Sequence, residues 1–240
     1  QYKLNSVLSY SRKNNLDKVV FSGGNNPRFG IVSTGKSFMD TLQALEMLGI
    51  DEKKANQIGL ALYKVSMSWP LEPYGITQFA SKLEKLIVVE EKRGLIEDQL
   101  RTVLYELKIK PIVIGKKDTS GKVLFQPEGA LTSLQVAVGI GKKLFFENVS
   151  KDLKKKIIQL EQILNSEKFE PPLKRKNYFC AGCPHNSSTI LPEGKRGYSG
   201  IGCHYMVQKM DRNIEGYTHM GAEGANWIGE SKFSKLNHMF

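Results

Sequence analysis

The chain has 240 residues, 35 Lys and Arg against 24 Asp and Glu for a net charge of +11, and three cysteines. This length allows one large or two small domains with cores of their own. Its apolar runs fall far short of the roughly 20 residues of a membrane span, and three cysteines in a chain this long exclude a secreted disulfide framework.

The basic residues are mostly lysines, scattered or grouped as at Lys142-Lys143, Lys154–Lys156 and Lys174–Lys176, without interleaved aromatics on which bases could stack. They read as solvated faces, so neither a nucleic acid nor a membrane is expected as partner. No charged-then-apolar leader opens the chain, and a reducing cytoplasm suits its thiols. A first residue Gln1 in place of methionine is read as the sign of a fragment.

Leu4, Val7, Leu8 and Ser11 recur at helical spacing before the polar run Arg12-Lys-Asn-Asn15, which reads as the tail of a preceding domain. Ser22-Gly-Gly-Asn-Asn-Pro27 collects turn formers and reads as a linker. Short apolar runs then alternate with helical patterns. Strands are expected at Phe29–Val32, Leu60–Tyr63, Lys85–Glu90 and Pro111–Ile114, and helices at Ser37–Leu48 (closed by Gly49), Gln78–Leu83 and Leu95–Leu107. Strands separated by helices of this length make right-handed crossovers and a parallel sheet. An α/β domain is therefore expected over residues 27–116, after a tail and linker at 1–26.

Gly30-Ile-Val-Ser-Thr-Gly-Lys36-Ser37 matches the letters of a phosphate-binding P-loop, with Leu86–Glu90 as its acidic strand. Its context argues otherwise. Ile31 and Val32 belong to a strand, and backbone extended in a sheet cannot also curl around a phosphate. The plainer expectation is a strand, a turn and a helix capped by Ser33 or Thr34.

Residues 117–177 read as a connector, with a helix at Ser133–Ile140, a lysine-rich amphipathic stretch at Lys151–Leu164, and a break at Pro171-Pro172. Composition then shifts to Gly, Cys, His, Met and Asn, and residues 178–240 read as the start of another domain. Cys180 and Cys183 stand two residues apart, Cys203 follows in a second glycine-containing turn, and His185 and His204 sit close behind cysteines. Thiolates two residues apart can grip one metal centre. With no fourth cysteine, the site borrows a histidine, takes a ligand from beyond Phe240, or holds no metal; a closed structural zinc site is the alternative built on the same residues. A third turn, Thr218–Trp227, opens a helix. Glycine turns at element ends let backbone N–H groups approach a ligand, commonly a phosphate.

Tyr178-Phe-Cys-Ala-Gly-Cys-Pro-His185-Asn, Leu191-Pro-Glu193-Gly, Gly200-Ile-Gly-Cys-His-Tyr-Met206 and Met220-Gly-Ala-Glu-Gly-Ala-Asn-Trp227 closely resemble the thiamine-diphosphate-binding part of indolepyruvate ferredoxin oxidoreductase in its long fused form. The segment opening with Phe29-Gly-Ile-Val-Ser-Thr-Gly-Lys36 resembles the transketolase C-terminal-like domain that precedes it there. The resemblance implies a 2-oxoacid oxidoreductase that decarboxylates an aryl pyruvate, joins the product to coenzyme A and passes two electrons to ferredoxin. Thiamine diphosphate with Mg2+ would be the electron sink and a 4Fe-4S cluster the electron carrier.

Carried over position by position, Cys180, Cys183 and Cys203 match cluster ligands. The resemblance implies that Gly182, His185, Gly202 and His204 line the cofactor pocket and that Gly221 and Gly224 shape a turn near it. No catalytic residue is assigned; Glu193 and Glu223 rank as structural or pocket-edge groups, and His219 and His238 stay unassigned. The family's Gly-Asp-Gly magnesium motif and its pyrimidine-binding domain are not among these residues. All three cofactors are therefore expected to need segments outside this chain, which alone is expected to be inactive, and the full-length protein is expected to be a homo-oligomer.

Overall fold

Alternation of side chains along the strands decides this architecture. In the computed structural model, which describes residues 2–108, 110–145, 150–166 and 175–239, the chain divides into two compact units, Gln1–Phe169 and Glu170–Phe240. The Pro171-Pro172 break, Lys174 and Phe240 lie outside the described residues.

The first unit opens with helix α1 (Tyr2–Lys13) and strand β1 (Lys18–Ser22), followed by β2 (Phe29–Thr34), α2 (Gly35–Leu48), α3 (Glu52–Ile58) and β3 (Leu60–Val65). Next come α4 (Pro73–Ala80), β4 (Lys85–Val89), α5 (Leu95–Leu104) and β5 (Ile112–Ile114). One sheet holds all five strands in the order β1-β3-β2-β4-β5. β2, β3, β4 and β5 run parallel, and β1 pairs antiparallel with β3. The mixed α/β reading with a parallel-sheet core is thus borne out.

Both faces are covered. Ile31, Leu60, Leu62, Ile87 and Val89 point to one side, under Phe38, Leu45 and Leu48 of α2 and Ala55 of α3. Their sequence neighbours Val32, Ala61, Tyr63, Leu86 and Val88 point to the other, under Ile76 and Phe79 of α4 and Ile96, Leu100 and Leu104 of α5. Burial on both faces is why these strands are unbroken apolar runs. Gly30 sits in the central strand where a Cβ would press on Leu83 and come 3.3 Å from the Phe79 ring. It is therefore a packing glycine, and β2 continues through Thr34 across the residues that a P-loop would need to curl.

Two departures from expectation concern the edges. Lys18–Ser22, beside the expected linker, is a strand, half-exposed and with a register shift between Val19 and Phe21. The segment expected as a connector adds α6 (Ser133–Ile140), a single π-helical turn and α7 (Lys151–Ser166), whose Val136, Ile140, Leu153, Ile157 and Leu160 join the core over α2. Phe125, 1% exposed, fills the space above Gly139. Hydrophobic area that α2 cannot cover alone is the physical reason this segment packs down.

The second unit is built from short pieces: α8 (His185–Ser188), β6 (Lys195–Gly197), a 3-10 helix (Gly202–Lys209), α9 (Ala225–Glu230) and β7 (Asn237–Met239), with β6 and β7 paired in parallel. Phe179, Val207 and Ile214 form its buried cluster, with Cys183, Leu191, Met206 and Met210 packed against them. No described helix of the chain is long and apolar enough to cross a membrane.

Candidate functional site

The first cysteine turn is closed by its own backbone. Cys180 carbonyl accepts the Cys183 N–H (3.1 Å) and the Asn186 side-chain amide (2.9 Å), with Gly182 at φ 73° making the bend. Only a residue without a Cβ takes that conformation at little cost. Cys180 is exposed and Cys183 half-buried, and both are free thiols. From the bend, Cys183 Sγ lies 3.2 Å from His185 Nδ1.

His185 is the hinge of the arrangement. Its ring stacks on Phe179 (centroids 5.1 Å apart, 23° between planes) and stands 5.7 Å from the ring of His204 in the second turn. There Gly202, at φ 74°, opens the 3-10 helix that carries Cys203 and His204. His204 Nδ1 accepts the Gly200 N–H at 2.8 Å, so neutral His204 keeps its proton on Nε2. Burial lowers its pKa, and the neighbouring His185 lowers it further.

The third turn closes on itself. Gly221 N–H donates to Glu223 Oε2 (2.9 Å) and Thr218 Oγ1 to the Ala222 carbonyl (2.5 Å), while Gly221 and Gly224 take φ 88° and 84°. It comes near the second turn, since a Cβ on Gly200 would lie 3.3 Å from His204 Nδ1 and 3.8 Å from Glu223 Cγ. Cβ atoms placed on Gly182, Gly202 or Gly221 would meet open space. These three are glycines because of backbone conformation, with free volume beside them.

Cys183, Phe179 and His204 are therefore all gathered around the His185 ring. Among the described residues, however, no three His, Cys, Asp or Glu side chains gather as a metal site requires. Within that set Cys180, Cys183 and Cys203 do not form a ready cage for an iron–sulfur cluster or for zinc, and no described carboxylates gather as magnesium would need. Arg212 is a participant that the sequence did not single out. It donates to the carbonyls of His185 (3.3 Å) and Asn186 (3.0 Å) and lies 5.7 Å above the Phe179 ring, clamping the first turn. Its only signal was a cation within a polar bend. His238, unassigned from sequence, packs between Tyr198 (4.5 Å) and Trp227 (4.6 Å) and serves the packing of β6, β7 and α9.

The other motif resolves differently. Lys36 Nζ donates to Asp40 Oδ2 (2.7 Å) and to the Leu131 carbonyl (2.9 Å), so it is held by protein groups. Ser33 Oγ donates to the Val89 carbonyl (2.9 Å) and binds β2 to β4; Thr34 occupies the cap position of α2 without a side-chain hydrogen bond. Neither hydroxyl caps the helix as expected.

The family model described as the indolepyruvate oxidoreductase domain matches residues 19–167. Among curated relatives, the chain is similar to "Indolepyruvate oxidoreductase subunit IorA" of Thermococcus kodakarensis, 25% identical over 207 residues, covering 83% of this chain and 29% of the relative. The like-named protein of Pyrococcus abyssi is 25% identical over 167 residues, 69% of this chain and 23% of the relative. The chain thus spans less than a third of the length of these relatives. Two solved structures show partial likeness at 21% identity. One is the inactive β4 tetramer of a split-gene transketolase (TM-score 0.37, 53% of this chain and 41% of that one). The other is 2-oxoglutarate:ferredoxin oxidoreductase from Magnetococcus marinus (TM-score 0.32, 44% and 18%).

Proposed function

The chain belongs to the indolepyruvate oxidoreductase domain family, and from that membership we propose that it is part of an enzyme that oxidatively decarboxylates an aryl 2-oxoacid, indolepyruvate foremost. The product would be joined to coenzyme A, and ferredoxin would accept the electrons. One observation carries this reading: the family match over residues 19–167, which takes in the parallel sheet and the two helices packed over α2. The names of the archaeal relatives support the substrate. The same reading puts the protein in the cytoplasm, as a homo-oligomer at full length.

Thiamine diphosphate, when bound, supplies the sink for the electron pair left by carbon dioxide. The residues we propose toward it are Gly182, His185, Gly202, His204, Gly221 and Gly224. His204, its Nδ1 occupied by the Gly200 N–H, presents Nε2–H as a donor. His185 is held in place by Phe179 and by Arg212 on its carbonyl. The open volume at Gly182, Gly202 and Gly221 admits a ligand to backbone groups. The described thiols and carboxylates do not gather into a donor set for a cluster or for magnesium.

The test is made on the intact native protein that carries this chain, isolated without oxygen and supplied with thiamine diphosphate, Mg2+, coenzyme A and ferredoxin. Indolepyruvate should drive coenzyme-A-dependent ferredoxin reduction faster than pyruvate or 2-oxoglutarate. Absence of ferredoxin reduction with every 2-oxoacid tried overturns the proposal. The 240-residue chain alone is expected to show no turnover in the same assay.

A further inference from the structure

A crevice of about 650 Å³ opens at the C-terminal ends of β2 and β4, between the start of α2 and the segment leading into α5. From β2 the chain proceeds to β3 on one side, and from β4 to β5 on the other. In open α/β sheets such a point of divergence is where ligands lodge, and this volume lies within the ordinary range for small-molecule pockets.

The two helices that meet there are treated differently by the chain. At α5, the Glu90 carboxylate already accepts the N–H groups of Ile96 (2.8 Å) and Glu97 (2.9 Å), an internal anion on the positive end of the helix. At α2, a helix of 14 residues, no side chain caps the first turn, and Gly35 at φ 54° leads into it beside open space. Its leading amides are donors without an acceptor of their own. The second observation is independent of the helix end. Ser37, on the same wall, is 2% exposed, and its Oγ has no hydrogen-bond partner among the described residues. A buried hydroxyl is seldom left unsatisfied.

Charge decides the kind of ligand. The ammonium groups of Lys36 and Lys92 are bonded to protein oxygens, those of Asp40 and Leu131 for the first and of Gly129 for the second. Glu91 is engaged by Lys36 (3.3 Å) and by the Leu131 N–H (3.3 Å). What remains at the rim is the exposed Arg93, which has no ion pair among the described residues, and the exposed Asp98. One free cation, one helix end and one orphan hydroxyl suit a single phosphate group, while Asp98 repels a polyphosphate.

We infer that this crevice binds the phosphate of a small phosphomonoester, held by the first-turn amides of α2, Ser37 Oγ and the Arg93 guanidinium. The site lies wholly in the first unit and does not depend on the proposed reaction.

The test titrates 15N-labelled chain with inorganic phosphate and then with glycerol 3-phosphate, at ionic strength held constant with sodium chloride. Saturable shifts of the Gly35, Lys36 and Ser37 amides are expected with both, and a nucleoside triphosphate should bind no tighter. Arg93→Gln and Ser37→Ala should each weaken binding about five-fold or more. Arg93 is a surface residue, so its variant decides the matter if Ser37→Ala does not fold. The inference is overturned if those amides do not saturate, if chloride alone moves them equally, or if Arg93→Gln binds like the parent.

Discussion

Lys36 Nζ stands 3.3 Å from the carboxylate of Glu91, a bond across the ends of β2 and β4 that closes the question of the P-loop letters. A P-loop lysine must be free to reach phosphates. This one is shared among Asp40, Glu91 and the Leu131 carbonyl, and those carboxylates raise its pKa, the Asp40 hydrogen bond most. Lys36→Met should lower the melting temperature modestly and leave Mg-nucleoside triphosphate hydrolysis at background in parent and variant alike. A hydrolysis rate in the parent that the substitution abolishes would restore the P-loop reading.

Glu72 joins α1 to α4. Its carboxylate caps α4 through the N–H groups of Tyr74 (3.1 Å) and Gly75 (2.7 Å) and receives Arg12 Nε at 2.9 Å. Burial pushes its pKa up, but the Gly75 amide, Arg12 and the Tyr74 amide together outweigh that and hold it below the usual range. Loss of the cap and of the Arg12 contact in Glu72→Ala should cost about 1–2 kcal/mol in urea denaturation at neutral pH. An unchanged midpoint would remove Glu72 from the account of how α1 is held.

Asp118 supplies the pH dependence with the clearest sign. Lys143 Nζ at 2.6 Å, then the Ser120 hydroxyl and the amides of Ser120 and Lys122, hold its pKa well below the carboxylate range. Because the folded value lies beneath the unfolded one of about 3.9, the stabilisation is complete above that pH. It is lost as pH falls toward the depressed value. The melting-temperature gap between the parent and Asp118→Asn should therefore be constant from pH 7 down to about pH 4 and shrink progressively below that; a gap that stays constant into strong acid contradicts the assignment.

Phe125 tests whether residues 117–166 belong to the core of the first unit. With its ring 1% exposed and seated over Gly139, Phe125→Ala should destabilise by about 3–5 kcal/mol. A segment serving only as a connector would lose less than about 0.5 kcal/mol on the same change.

The central sheet was legible because a doubly covered strand must be apolar throughout. Phe29–Val32, Leu60–Tyr63 and Lys85–Glu90 were found within a residue or two of their ends, and Gly49 closes α2 at φ 71° as read. β1 escaped because an edge strand exposed on one side needs no such run. α3 escaped although Asp51, which accepts the Lys54 N–H, and Gly59, at φ 71°, punctuate it at both ends; its single buried residue, Ala55, leaves no periodicity to detect. α4 starts five residues before the expected Gln78, because its beginning is marked by the Glu72 cap and by Pro73 at the first helical position and not by apolar periodicity. In the second unit, cysteine and histidine spacing picks out residues of which the fold sets Cys183, His185 and His204 close together, while the three thiols do not gather among the described residues. It could not foretell the clamp by Arg212, which depends on carbonyls whose direction only the folded turn fixes.

The buried cluster of the second unit consists of Phe179, Val207 and Ile214, against two broad apolar layers in the first. So little buried surface leaves local opening inexpensive, and opening exposes peptide bonds to attack. Limited digestion with trypsin should therefore erode the chain from its carboxyl-terminal third, at the lysines and arginines between Lys195 and Lys235, while the sheet with its covering helices persists as a resistant product.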